Sequence, residues 1–245
     1  MLTREEFEAL RLASAEKMAA DKALVKKAQD VLIEADKYHW IHQSTWFGEP
    51  ILNVPQDTFA IQDIIYKTRP KYIIEIGVAW GGSLLFYSTL MEILGGVKII
   101  GVDIYIPEDL KQRIFSHEKL AGRIELIEAS STEMSTLEKV KQIVGDSKEV
   151  MVNLDSYHTH AHVLKELQLY STLVSKGHYL ICGDTIVEDF PEQQHRIREW
   201  GPGNNPKTAL WQFMKENNRF ISDTQVENKL LFTCNPEGFL RCIKD

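Results

Sequence analysis

Lys71 to Leu90 reads KYIIEIGVAWGGSLLFYSTL, and this stretch decides the fold. Tyr72 to Ile76 is a short apolar run broken only by Glu75. Its length and β-branched content fit a buried parallel strand. A turn with Gly77, Gly81 and Gly82 follows, then Ser83 as an N-cap and Leu84 to Tyr87 as the first turn of a helix. Strand, glycine turn and helix make the opening unit of a nucleotide-binding α/β sheet. Glycines there let the backbone approach a ligand, and the helix N-terminus offers free N–H groups.

The glycine spacing narrows the ligand. A dinucleotide fold uses G-x-G-x-x-G, whereas this turn has G-x-x-x-G-G, which disfavours an NAD-type oxidoreductase. A Gly-Lys-Ser/Thr phosphate loop is absent from this turn. The pattern E-x-G-x-x-x-G-G, with Glu75 in the strand, resembles motif I of class I S-adenosylmethionine (SAM) methyltransferases. The bland reading is a βα turn without a ligand.

Further strands extend the sheet beyond this unit. Residues 97–103, VKIIGVD, end in Asp103, which lies 26 residues after Gly77. An acid there can accept hydrogen bonds from both hydroxyls of a ribose, its two oxygens matching a vicinal diol. Residues 123–128 give a third strand, followed by Ser130 and Ser131. Small residues at that point leave room for a flat base, and Ser-Ser-Thr before Glu133 also reads as a helix cap.

Val150 to Leu154 is the fourth strand, and the richest chemistry follows it: Asp155, His158, His160 and His162. Ligands and catalytic groups of open α/β sheets gather at the carboxyl ends of strands. D-x-x-H sets Asp155 and His158 on one side of a turn, and His158 and His162 are spaced to share a helix face. No Cys or Glu-x-x-His frame accompanies them, so an oxygen-rich Mg²⁺ site suits the acid better than zinc. His160 and His162 read as helix-surface residues. The fifth strand, from Tyr179, ends at Asp184. Two carboxylates at adjacent strand ends repel unless a cation or proton lies between them, which favours a divalent metal at Asp155 and Asp184.

The remaining segments frame this sheet. Residues 3–36, without Gly or Pro, read as one amphipathic helix serving as a packed extension or an oligomer contact. Residues 38–57 form an aromatic loop that covers a pocket or anchors to the core through Trp40 and Trp46, and Asp57 caps a helix over 58–67. Asn205 and Pro206 open a helix ending near Glu216. Phe220–Ile221 and Lys229–Thr233 read as a late antiparallel pair.

Composition agrees. The chain has 245 residues, 44% apolar and 26% charged, as expected of a globular α/β protein. A net charge of −7 without a basic run argues against nucleic acid. No apolar stretch reaches the ~18 residues of a membrane span. MLTREEFEAL lacks the apolar core of a secretion signal. Three cysteines, Cys182, Cys234 and Cys242, form neither a disulfide framework nor a zinc spacing, which points to the cytoplasm.

Several motifs in one order carry a specific resemblance. They are TWFGEPILNVPQD (45–57), RPKYIIEIGVAWGGS (69–83), LDSYHTHAHVLKEL (154–167), GDT (183–185), PGNNP (202–206) and CNPEGFLR (234–241). From residue 38 onward the sequence resembles the cephalosporin hydroxylase family, which consists of SAM-dependent methyltransferase-like proteins and is similar to macrolide-sugar O-methyltransferases. The resemblance implies a Rossmann-like sheet, mostly parallel with a late antiparallel hairpin, and SAM at the glycine turn. It also implies a higher homo-oligomer and methylation of a hydroxyl on a small molecule or sugar, in secondary-metabolite or glycan biosynthesis. The division expected is an N-terminal helical extension and aromatic loop over 1–56 and a SAM-binding domain over 57–245.

The resemblance also implies roles. Cofactor binding falls to Glu75, Gly77, Gly81, Ser83, Asp103, Ser130, Ser131 and Asp155; the metal falls to Asp155 and Asp184; the general base is His158. Where the sugar O-methyltransferases carry a Glu-Asp pair after strand five, this chain has Gly183 and Asp184. That exchange removes one carboxylate, so water, Thr185 or Glu188 completes the metal shell or the metal is lost. The alternative function is a SAM-binding subunit that assists another modifying enzyme without transferring methyl itself.

Overall fold

The computed structural model describes residues 2–192 and 197–245. Two helices open the chain, α1 (Arg4–Ala20) and α2 (Lys22–Asp36). A short antiparallel pair, β1 (Thr45–Trp46) and β2 (Glu49–Pro50), leads to α3 (Pro55–Thr68). The parallel sheet then builds through β3 (Tyr72–Ile76), α4 (Gly82–Leu94), β4 (Lys98–Asp103), α5 (Glu108–Ser116), α6 (Glu118–Ala121) and β5 (Ile124–Glu128). Its second half comprises α7 (Met134–Val144), β6 (Val150–Leu154), α8 (His160–Tyr170) and β7 (Tyr179–Cys182). The chain closes with α9 (Pro206–Glu216), β8 (Phe220–Ser222), α10 (Thr224–Glu227) and β9 (Phe239–Cys242).

The sheet order is β5-β4-β3-β6-β7-β9-β8, with β9 antiparallel to both β7 and β8. Successive side chains alternate between its faces. Ile73, Ile99, Met151 and Ile181 pack under α3, α4 and α5, whereas Ile74, Ile100, Val152 and Leu180 pack under α7, α8 and α9. Helices on both faces explain why these strands are apolar throughout rather than alternating. The chain order reverses between β3 and β6, the place where open α/β sheets leave a crevice at the strand ends.

Four local expectations are corrected. The helix expected over 3–36 is broken at Asp21, which caps the second helix by accepting from Leu24 N–H at 3.0 Å. A short acid that bonds its neighbours' backbone competes with helix continuation, which apolar periodicity does not register. Asp57 is no cap: α3 begins at Pro55, and Asp57 lies fully buried inside its first turn, accepting from Cys234 N–H at 2.8 Å. Ser83 is no cap either, since α4 starts at Gly82 with Gly81 as its cap residue. Finally, Lys229–Thr233 is not a strand. Leu231 has φ +58°, which breaks an extended run, and the partner of β8 is Phe239–Cys242.

The three thiols are free and buried. Among the described residues no helix is long and apolar enough to cross a membrane.

Candidate active site

The glycine turn sits on top of the sheet, against the loop that follows β6. Gly77 has φ +96°, and a Cβ there would fall 1.8 Å from Asp155 O, so no other residue fits without moving the β6 loop. Asp103, at the end of β4, holds the turn from the other side: Oδ2 accepts from Val78 N–H at 2.8 Å and Oδ1 from Tyr105 N–H at 3.2 Å. Gly81 faces elsewhere. A Cβ on it would meet Ile114 at 2.6 Å, so that glycine serves the packing of α5 against α4.

Beneath the turn lies Glu75, paired in register with Asn153 of β6. It is 2% exposed, accepts from Ser83 Oγ at 2.7 Å and from Asn153 Nδ2 at 3.4 Å, and burial pushes its carboxyl up to about 7. The hydroxyl of Ser83, free of any capping duty, thus holds this acid.

A cavity of about 820 Å³ opens over these residues. Gly77 to Trp80, Asp103, Ile104, Ser130 and Ser131 line it together with Asp155, His158 and Asp184. Such a volume accommodates a nucleoside-sized ligand with further space for a second molecule. Neither serine caps α7, which is preceded by Glu133 without a side-chain bond. Ser130 Oγ is 3.0 Å from Thr132 Oγ1, and Ser131 Oγ turns inward to donate to Glu166.

Asp155, His158 and Asp184 each offer an atom within 4.8 Å of the other two. Leu154 and Cys182 are register partners, so Asp155 and Asp184 leave neighbouring strands almost together. Asp155 is held well above the usual carboxylate range, first by burial, then by Asp184, Glu75 and Glu166. His158 Nε2 lies 3.5 Å from Asp184 Oδ2. Burial lowers its pKa below 6.5, outweighing the opposite pull of Asp184. Two acids crowded together carry a charge that a hard divalent cation satisfies, so Mg²⁺ fits Asp155 and Asp184, with the His158 imidazole beside them.

Gly183 has a local reason. A Cβ there would meet Leu154 O at 2.7 Å and the Asp155 side chain at 3.3 Å, so β7 could not lie this close to Asp155 with a glutamate in that place. The two candidate substitutes are engaged elsewhere. Thr185 Oγ1 donates to Pro236 O at 2.7 Å; Glu188 accepts from Gly203 N–H at 2.7 Å and from Asn205 Nδ2.

The other histidines depart from the surface reading. His158 precedes α8, whose cap residue is Thr159, and so shares no helix face with His162. His160 bonds through Nδ1 to Thr208 and through Nε2 to Gln212, fastening α8 to α9. His162 lines the cavity, with Nε2 2.9 Å from Glu166 Oε1. Trp200 stacks edge-on against Tyr157 and His158 at centroid distances of 5.4 and 5.1 Å.

The N-terminal segment reaches the cavity as well. Leu32 and Asp36, four apart on α2, line it together with Ile41, His42 and Pro50 to Asn53. No motif marks Leu32, Asp36 or Phe190; only the i, i+4 spacing on α2 hints that both α2 residues face inward. The tryptophans of the aromatic loop are anchors: Trp46 Nε1 donates to Thr89 at 3.0 Å, and Trp40 packs on Phe232.

Residues 38–243 match the family Rhamnosyl O-methyltransferase/CmcI. The chain belongs to this family. Rhamnosyl O-methyltransferase of Mycobacterium tuberculosis (strain ATCC 25618 / H37Rv) is 28% identical over 222 residues, covering 84% of each chain. The Mycobacterium leprae (strain TN) protein of that name is 29% identical over 221 residues, covering 84% of this chain and 89% of its own. Among solved structures, an apo form of CmcI superposes with a TM-score of 0.56 at 20% identity, covering 83% of this chain and 78% of that one. A CmcI structure with Mg and SAM gives 0.55 at 20% identity, covering 82% and 77%. The likeness to CmcI is one of fold. Leu32 and Asp36, which help to wall the cavity, lie before the stretch matched to the Rhamnosyl O-methyltransferase/CmcI family.

Proposed function

We propose that this protein is a SAM-dependent O-methyltransferase acting on a hydroxyl of a sugar or small molecule. The observation that carries the reading is the placement of Asp155, His158 and Asp184 in the same cavity that the glycine turn and Asp103 line. Family membership and the rhamnosyl O-methyltransferase activity named for its mycobacterial relatives support it.

Each residue then has a task. Asp103 accepts from the ribose hydroxyls while Val78 N–H keeps its carboxylate in place. Glu75 braces the turn through Ser83 and Asn153. Ser130 and Ser131 border the base. Asp155 and Asp184 would hold Mg²⁺. SAM bound here supplies an already activated methyl group, and the metal supplies a Lewis acid that lowers the pKa of an alcohol. His158, kept neutral at physiological pH by burial, would take the hydroxyl proton, the methyl leaving its sulfonium sulfur for the acceptor oxygen so that S-adenosylhomocysteine remains. The surrounding walls supply position and exclude water.

The extension over 1–56 closes the acceptor end, and 57–245 form the methyltransferase domain. We read the protein as cytoplasmic and as a homo-oligomer; α1, in which no residue is buried, offers a face to a second copy. Methyl transfer from labelled SAM to a panel of glycosides and small alcohols tests the reading. Label appearing on an acceptor oxygen supports it. Tight SAM binding with no transfer to any acceptor would favour the partner-subunit alternative.

A further inference from the structure

Behind the reacting groups, α8 carries a buried acid. Glu166 is 0% exposed, yet its Oε1 gathers three donors from three places in the chain. Ser131 Oγ arrives from the loop after β5, Ser156 Oγ from the loop after β6 at 2.6 Å, and His162 Nε2 from one turn earlier on α8 at 2.9 Å. The second oxygen, Oε2, is buried without a partner. Tyr170, also on α8, adds a bond from its hydroxyl to Ser131 O at 3.0 Å.

All three donors line the cavity, but Glu166 does not. A fully buried carboxylate carries a desolvation cost that its hydrogen bonds must offset. Its geometry suits a further purpose. Ser131 stands at the base end and Ser156 directly follows Asp155, so one oxygen ties together two walls that belong to different loops. A carboxylate acceptor also requires His162 to carry its hydrogen on Nε2, which fixes the tautomer of that ring.

We propose that Glu166 is a positioning residue for the adenosine half of the cavity, setting Ser131, Ser156 and His162 at the distances that nucleoside binding requires. It touches neither the nucleoside nor the reacting atoms. The inference rests on the SAM reading of the cavity.

The test measures binding of S-adenosylhomocysteine by calorimetry, alongside thermal unfolding, in the full chain. Glu166→Leu lowers affinity about tenfold or more and also lowers the melting temperature, since both follow from donors left without their acceptor. Glu166→Gln, which keeps an acceptor at Oε1, binds within a few-fold of wild type. Ser156→Ala, which leaves the acid in place, lowers affinity several-fold and decides the matter should Glu166→Leu fail to fold. Affinity loss measured in folded protein well below the melting temperature, and restored by Gln, is a pattern that a purely structural acid does not produce. Wild-type affinity in folded Glu166→Leu, or in Ser156→Ala, overturns the proposal. Failure of the wild-type protein to bind S-adenosylhomocysteine overturns the SAM reading itself and this inference with it.

Discussion

His158 Nε2 faces Asp184 Oδ2 at 3.5 Å across the ends of β6 and β7. The contact places an imidazole and a carboxylate from different strands in one part of the cavity lining, with Asp155 beside them. His158 directly precedes the cap residue of α8, Asp184 opens a 3-10 turn over Thr185–Asp189, and the pairing of Leu154 with Cys182 brings the two loops together.

Asp103→Ala weakens SAM and S-adenosylhomocysteine binding by about 1–3 kcal/mol, the cost of leaving ribose hydroxyls unpaired. Wild-type binding in the micromolar range corresponds to roughly 8 kcal/mol, so the loss is readily measured by calorimetry. Unchanged affinity in the variant contradicts the ribose assignment.

Chelation abolishes methyl transfer and Mg²⁺ restores it, and Asp155→Asn behaves like the chelated enzyme. The physical reason is the crowding of Asp155 and Asp184, whose repulsion a cation removes. Titration of Mg²⁺ alone into wild type and Asp155→Asn gives a second readout: heat in the first, none in the second. Full activity after exhaustive chelation removes the metal from the mechanism.

Asp57 makes stability depend on pH. Its carboxyl is pushed from 3.8 up to about 7 by burial. The folded protein therefore holds this proton more tightly than the unfolded chain. The resulting stabilisation is complete below pH 3.8 and is lost as pH rises through about 7. Asp57→Asn, which keeps an acceptor for Cys234 N–H, loses this slope. Denaturant titrations between pH 4 and 8 should show the variant gaining on wild type as pH rises; a constant difference contradicts the assignment.

His160→Ala lowers the melting temperature by breaking the Thr208 and Gln212 bonds between α8 and α9, at about 1 kcal/mol per bond, and leaves SAM affinity unchanged. A thermal melt paired with calorimetry checks both halves.

Much of the sheet is legible in the sequence because apolar β-branched runs such as Tyr72–Ile76 and Val150–Leu154 have one use in an α/β chain. The acids at their ends can be placed for the same reason. What escapes depends on contacts far away in sequence. Asp57 reads as a cap locally and is taken instead by Cys234. Lys229–Thr233 has strand composition, but Leu231 adopts a left-handed backbone. His162 carries no signal of its own; its place in the cavity wall follows from Glu166 and Ser131, the latter 31 residues before it. Leu32 and Asp36 look like any pair on an amphipathic helix until that helix is laid across the cavity.

Removal of the acceptor hydroxyl proton by His158 is the step on which the mechanism turns. The most direct test compares turnover with S-adenosylhomocysteine affinity in the same His158→Ala preparation, across pH. The expected result is normal folding and affinity, turnover lower by about 10²–10⁴-fold, and loss of the wild-type rise in rate whose midpoint lies below pH 6.5. A folded His158→Ala protein with near wild-type turnover and the same pH profile would contradict it.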